Sequence, residues 1–220
     1  MHMKRIPLKT LAVSLLLLGL MAGIADGVAA AAEAKAPLLG LLGTAEYSRA
    51  GGPFVPVKKG AVFAVGDVIK TERGSAVDIF FGPLAGTVRL TESTTLVIEK
   101  SAVAEGQLGA ATFELNLSLR EGEILGRVER HGGGSRFQVK LPAGLAGIVE
   151  GQFRIDARGY VVLLDGKAGY VHIPASGEPV SHTLQAPPAT YFSPVEGVQP
   201  APVELVREVT NQNRSKLPKG

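Results

Sequence analysis

His131-Gly132-Gly133-Gly134 has the form of an oxyanion-binding glycine run. Backbone N–H groups in such a run can stabilise the negative charge of an acyl-transfer intermediate. That chemistry also needs a serine on a strained elbow, Gly-x-Ser-x-Gly. No serine in the chain has glycine at both −2 and +2; Ser135 has Gly133 before it but Phe137 after it. The run therefore reads as a hairpin turn between a strand at Ile124 and a strand at Phe137. His172 and His182 stand at no ligand spacing to a second histidine and have no flanking acidic cluster, as a zinc site would need. His172 is expected to be a half-exposed structural histidine near a strand end. The carboxylates Asp67, Asp78, Glu92, Glu121, Asp156 and Asp165 are scattered, about one per turn. Paired acid–base work needs two held across a cleft, whereas a carboxylate beside glycine commonly organises a turn.

Other motifs are equally bland. Gly166-Lys167-Ala168 reads as a turn entering a strand, and no phosphate-binding Gly-x-x-x-x-Gly-Lys-Ser/Thr loop occurs. Asn116-Leu117-Ser118 and Asn213-Arg214-Ser215 fit a glycosylation sequon, a short pattern that chance supplies. With no tryptophan, Tyr160, Tyr170 and Tyr191 make a carbohydrate-stacking platform only if the fold brings them together. The chain has no cysteine, which removes thiol catalysis, zinc-thiolate sites and disulfides. The expectation is a protein that is not an enzyme, with no catalytic, cofactor-binding or metal residues, no cofactor, and ligand-binding residues unassigned.

The elements that would position these residues are strands. In Phe113-Glu114-Leu115-Asn116-Leu117-Ser118-Leu119-Arg120 apolar and polar residues alternate strictly, so one face is buried and one is wet. Phe137, Val139 and Leu141 repeat the pattern, as do Phe153 with Ile155 and Val77 with Ile79 and Phe81. Tyr160 to Leu164 is apolar on both faces, which predicts a strand covered on both sides. Turn signals fall between them: Arg73-Gly74-Ser75, Gly82-Pro83, Glu121-Gly122, Pro142-Ala143-Gly144, Arg158-Gly159 and Asp165-Gly166. Asp-Gly is a favoured two-residue hairpin turn. The spacing predicts about a dozen short strands between Val62 and Ile173. Pro202 to Val209 is the one helical stretch of the body, after a proline-rich approach from Pro194 to Pro200, since proline suits a first helical position. Beyond Asn211 a polar, unstructured tail is expected. Gly66-Asp67-Val68-Ile69 and Gly122-Glu123-Ile124-Leu125 share one form, which two turn-then-strand units also produce without duplication.

The beginning of the chain reads as an export signal. Lys4, Arg5 and Lys9 precede an apolar run from Leu11 to Ala25, and small residues from Gly27 to Ala32 follow Asp26. That order predicts a signal peptide over residues 1–32, with cleavage after Ala30, Ala32 or Ala34. An uncleaved anchor is the alternative, but it needs about 20 apolar residues and reaches that length only by including Asp26, at a cost. The chain's net charge of +3 shrinks to +1 without Lys4, Arg5, Lys9 and Asp26, leaving 20 basic against 19 acidic side chains. Nucleic acid is not an expected partner, and a membrane is one only through an uncleaved signal. The organisation expected is a linker or first strand over 33–45, an all-β domain over 46–193, and a Pro-rich segment, short helix and polar tail over 194–220.

Several blocks resemble the FecR-type periplasmic domain. They are Gly66-Asp67-Val68-Ile69-Lys70-Thr71 followed by Ser75-Ala76-Val77-Asp78-Ile79, then Val88-Arg89-Leu90-Thr91-Glu92-Ser93-Thr94-Thr95-Leu96, then Leu117-Ser118-Leu119-Arg120-Glu121-Gly122-Glu123-Ile124. Phe137 to Gly144 leading into Ala146 to Phe153, and Val161 to Ala168, complete the order. The resemblance runs from about Gly60 to Ile173. It implies an extracytoplasmic all-β domain of many short antiparallel strands, solenoid-like or sandwich-like, with the short C-terminal helix appended here. In the family's best-known setting such a domain follows a membrane helix and receives a signal from an outer-membrane transporter's signalling domain, while a cytoplasmic N-terminal part regulates a sigma factor. Only ten residues precede the apolar run here, so the expectation is a standalone exported version. Where the family often has Arg-Gly-Thr this chain has Glu150-Gly151-Gln152, and it has Leu141-Pro142 where a threonine commonly precedes the proline. The roles of that arginine and threonine are not carried over. The function expected is a periplasmic or extracellular binding or signalling module of the bacterial cell envelope. The alternative is a structural envelope component that docks a neighbouring protein or polysaccharide.

Overall fold

The structure, a computed structural model, describes residues 32–105, 111–129 and 133–214. Eighteen strands and one helix lie among the described residues. The first nine strands are β1 (Ala32–Glu33), β2 (Ala36–Leu42), β3 (Ala45–Ser48), β4 (Phe54–Pro56), β5 (Val62–Phe63), β6 (Val68–Thr71), β7 (Ala76–Phe80), β8 (Thr87–Leu90) and β9 (Thr95–Glu105). The next five are β10 (Ala111–Glu121), β11 (Glu123–Val128), β12 (Arg136–Leu141), β13 (Gly144–Asp156) and β14 (Val161–Leu163). The last are β15 (Gly166–His172), β16 (Val180–Ala186), β17 (Thr190–Ser193) and β18 (Gly197–Pro200), followed by α1 (Val203–Arg214). The chain is all-β with a short C-terminal helix, as the alternation predicts. No helix among the described residues is long and apolar enough to cross a membrane. The expected signal segment lies outside the described residues up to residue 31, and Ala32 opens β1.

The strands form two facing sheets. The front sheet has the order β4-β3-β6-β9-β10-β12-β13-β15-β16, with β1 on the far part of β9. The back sheet has the order β2-β7-β8-β11-β13-β14-β17-β18, with β5 on the start of β2. β13 belongs to both, so the network curls and closes on itself. One core fills the space between. In β10 the inward Phe113, Leu115, Leu117 and Leu119 are all 3% exposed or less, and each such burial is worth roughly 1.5–3 kcal/mol. Phe137 of the front sheet meets Phe153 of the back sheet edge to face at 5.4 Å. Val161 and Leu163 of β14 point into this core while Val162, between them, is buried on the other side. That strand is covered on both faces, as its apolar run predicts.

Two turns expected to close hairpins instead carry the chain between sheets. β11 and β12, on either side of the His131 glycine run, do not pair: β11 lies in the back sheet and β12 in the front. This crossing places β12 parallel to β10, from Glu114 opposite Arg136 to Ser118 opposite Lys140, against the expectation of antiparallel strands throughout. Asp165-Gly166 likewise joins β14 in the back sheet to β15 in the front. The strands are not all short either, since β9, β10 and β13 run 11, 11 and 13 residues.

Glycine makes the β13 crossing possible. The ladder is irregular between Ile148 and Glu150, and Gly151 has φ +108°. A Cβ there would lie 1.8 Å from the Asp165 carbonyl oxygen, and one on Gly166 would lie 2.2 Å from that of Glu150. Two chain segments thus cross backbone on backbone, a separation that only residues without side chains reach. The Gln152 backbone N–H donates to Asp165 Oδ1 at 2.9 Å and fastens the crossing.

The helix starts just after Pro202, with Glu204 in its first turn and Arg214 in its last, charges that match the helix dipole. It extends past Asn211 to Arg214, where an unstructured tail was expected; residues 215–220 lie outside the described residues. The 33–45 segment holds β1 and β2, and Ala36 and Leu38 of β2 are core residues.

Candidate binding pocket at the start of the helix

One cross-strand row on the outer face of the back sheet seats the helix. Asp78, Arg89, Leu125, Arg154, Val162 and Tyr191 are successive partners across β7, β8, β11, β13, β14 and β17. Cross-strand partners project to the same face, so the row forms a track. Leu205 and Val209, four residues apart and therefore on one helix face, pack with Leu125, Val162 and Tyr191. Charged groups fix the ends. Arg154 pairs with Glu123 beneath and reaches Glu208 of α1 at 3.0 Å. Arg89 grips Asp78 with two 2.7 Å bonds and donates to the Gln212 carbonyl at 2.6 Å. A guanidinium at the carbonyl end of a helix is favourably placed.

A cavity of about 300 Å³ opens where α1 begins. Val162, Pro202 and Leu205 give its apolar lining, beside Tyr160 and Tyr191. Arg154, Asp156 and Arg158 are its charged lining residues. The Arg158-Gly159 turn closes a true hairpin between β13 and β14: the Asp156 N–H donates to the Tyr160 carbonyl at 2.9 Å, and the Gly159 N–H to that of Asp156 at 2.9 Å. Asp156 accepts from the Arg158 backbone N–H at 2.7 Å and from its guanidinium at 2.6–3.1 Å. The same guanidinium lies over the Tyr160 ring at 5.4 Å. Opposite, the Tyr191 hydroxyl donates to Glu196, which holds the phenol above its ordinary pKa. Ser193 Oγ shapes that corner by accepting from the N–H groups of Val195 and Glu196.

Two carboxylates near the pocket titrate apart. Burial holds Glu123 above the usual carboxylate range despite the opposing pull of Arg154. Burial also pushes Asp156 upward, but the hydrogen bonds from Arg158 outweigh it and leave Asp156 low. The two stand opposite each other across β11 and β13. Glu123 lies outside the pocket lining and is held by Arg154, while Asp156 is occupied by Arg158. The lining combines aromatic, aliphatic and charged hydrogen-bonding side chains, which suits recognition of a compact group with one apolar face.

Of the three tyrosines, the fold unites Tyr160 with Tyr191 but sends Tyr170 into the core, 1% exposed and 4.7 Å from Phe192. His172 and His182 flank the same Phe192 ring at 5.6 and 4.6 Å. Among the described residues no group of three His, Cys, Asp or Glu is placed to hold a metal. Asp67 is fully buried, pairs with Arg49 and accepts from the Ala64 N–H at 3.0 Å. Glu92 accepts from the Gly74 N–H at 2.6 Å, and Glu121 from the Thr95 hydroxyl at 3.4 Å. His131 and Gly132 lie outside the described residues, and Ser135 Oγ accepts from the Phe113 N–H at 3.2 Å. Asn116 sits in mid-strand on β10 and Asn213 in the last turn of α1.

The chain matches no family model. No curated protein and no solved structure matches it significantly either. Arg154 and Arg158 were not among the sequence candidates. Their signal was the charged face Arg154, Asp156, Arg158 approaching a glycine turn, beside Tyr160. A more open cleft of about 610 Å³ lies near the other end of α1, between Asp78, Arg89, Arg127 and Arg214. Arg89 and Arg127 there are already paired, with Asp78 and with Glu129 and Asp165, so the cleft presents a largely self-neutralised surface.

Proposed function

We propose that this protein is a non-enzymatic binding module of the cell envelope, exported and FecR-like, that holds its ligand in the Tyr160–Tyr191 pocket. The pocket is the observation that carries the reading. It brings two phenol rings and apolar side chains together with paired charges, on strands and a turn fixed by backbone hydrogen bonds. Rigid aromatic anchors on such a scaffold supply binding energy at little entropic cost. The N-terminal succession of basic, apolar and small residues supports export.

Affinity capture from envelope extract with the full chain and a Tyr160→Ala/Tyr191→Ala variant tests the reading. The wild type should retain a specific protein or glycan that the variant loses, with affinity down at least about tenfold. Equal recovery by both would remove the pocket from the account. Fusing residues 1–34 to an exported reporter enzyme tests the location, and reporter activity confined to the cytoplasm would refute it. A docking role as a structural envelope component draws on a different observation, the outer face of the front sheet, which no described element covers.

A further inference from the structure

The helix covers the back sheet, but no described element covers the outer face of the front sheet. Its outward residues form rows across the strands. The middle row runs Asn116, Gln138, Gly147, Gly169 and Thr183, from β10 to β16. Gly147 and Gly169 face each other directly, and a Cβ on Gly169 would meet nothing within 4 Å. The row is therefore a trough with bare backbone at its centre and amide or hydroxyl side chains at its ends. With strands about 4.8 Å apart it runs roughly 20 Å.

Both banks carry cations and aliphatic groups. One bank runs Ser118, Lys140, Leu145, Val171; the other holds the Glu114–Arg136 pair and, where the β13 ladder is irregular, Val149 beside the Glu150–Lys167 pair. Leu145 is 37% and Val149 49% exposed. Lys140 and Lys167 make no ion pair within the described residues. On the second bank Glu114 is shared by Lys100 at 2.6 Å and Arg136 at 3.8 Å, and Glu150 stands opposite Lys167. The balance is positive, on a domain expected to be nearly neutral. Asn116 adds a buried Oδ1 with no hydrogen-bond partner, while its amide donates to Glu114.

We propose that this trough binds an acidic polysaccharide, a chain of uronic acid residues lying across the strands with its carboxylates against Lys140 on one bank and Arg136 and Lys167 on the other. Charge complementarity selects an anionic occupant. The long narrow form with an unobstructed floor selects an extended chain. Amide and hydroxyl groups along the floor match sugar hydroxyls, and Leu145 and Val149 match the apolar faces of the rings. The floor has none of the large aromatic anchors of a protein interface and no row of protruding apolar residues for a lipid surface.

Calorimetric titration of the full chain with polygalacturonate oligosaccharides tests this, alongside neutral dextran oligosaccharides of equal length and vesicles containing anionic lipid. Polygalacturonate should bind, more weakly as salt rises. Dextran should bind at least tenfold more weakly, and the vesicles should not retain the protein. Gly169→Leu fills the trough from open space and should reduce polygalacturonate affinity tenfold or more. Lys140→Ala/Lys167→Ala, at exposed positions, should reduce both the affinity and its salt dependence. Tyr160→Ala should leave it unchanged, because the pocket is on the other sheet; the two sites thus stand or fall separately. Absent polygalacturonate binding, equal binding of dextran, vesicle retention, or undiminished affinity in Gly169→Leu and in the lysine variant would each overturn the proposal.

Discussion

Gly151 and Gly166 are irreplaceable for a reason of distance. Each would drive a Cβ to within about 2 Å of a backbone oxygen, and each has a positive φ. Gly151→Ala should cost about 3 kcal/mol or more, whereas Gly169→Ala should change stability by less than about 1 kcal/mol. Urea denaturation of the two variants side by side checks the contrast. Asp156 makes a prediction in pH. Its carboxyl is lower in the fold than its ordinary value of 3.8. A lowered carboxyl contributes stability above the unfolded value and loses it as pH falls through the folded one. Asp156→Asn should therefore lower the denaturation midpoint at neutral pH, with the gap to wild type closing below pH 3.8; a gap constant with pH would refute the assignment. At this scale the sequence displayed Tyr160 and Tyr191 but not their nearness. That nearness arises from β14 pairing with β17, a contact between distant stretches that no local pattern encodes.

Strands were the legible elements because their period is 2 and the inner face is mostly apolar. β10 is the clearest: Leu117 is 1% exposed, and Leu117→Ala should lower stability by about 2–5 kcal/mol. A denaturation midpoint that does not move would mean the strand is not packed as described. The helix responds differently. Among its described residues only Val209 is fully buried, so Val209→Asp should undock α1 while leaving the sheets intact. Hydrogen exchange should then lose protection over residues 203–214 and keep it in β10 and β13. What the sequence concealed were the crossings. A hairpin and a change of sheet use the same glycine and acidic residues, and only the strand partners tell them apart. Asp165-Gly166 is the case in point, whereas Arg158-Gly159 is the hairpin it resembles.

Among the described residues one main core runs from Ala36 in β2 to Phe192 in β17, with a smaller cluster of Leu125, Val162 and Val209 under the helix. Unfolding should be a single cooperative step. Strand circular dichroism and the near-ultraviolet signal of buried Tyr170 should give coincident denaturation curves. A separate early phase in either would divide the core. All-β class and the C-terminal helix followed from periodicity. The sheet order and the parallel pairing of β10 with β12 did not, because they record where distant strands meet. Composition concealed a second property: a chain of 23 basic and 20 acidic side chains can still gather on one face Lys140 and Lys167, which make no ion pair within the described residues.

β13 is a single piece of chain that two sheets both need. A cut within it would leave two fragments, each holding part of both layers and neither able to close a core. The turn between β15 and β16, with exposed Gly177 at positive φ, touches only one edge. Protease should therefore nick the chain there without loss of fold, and new termini introduced there should be tolerated.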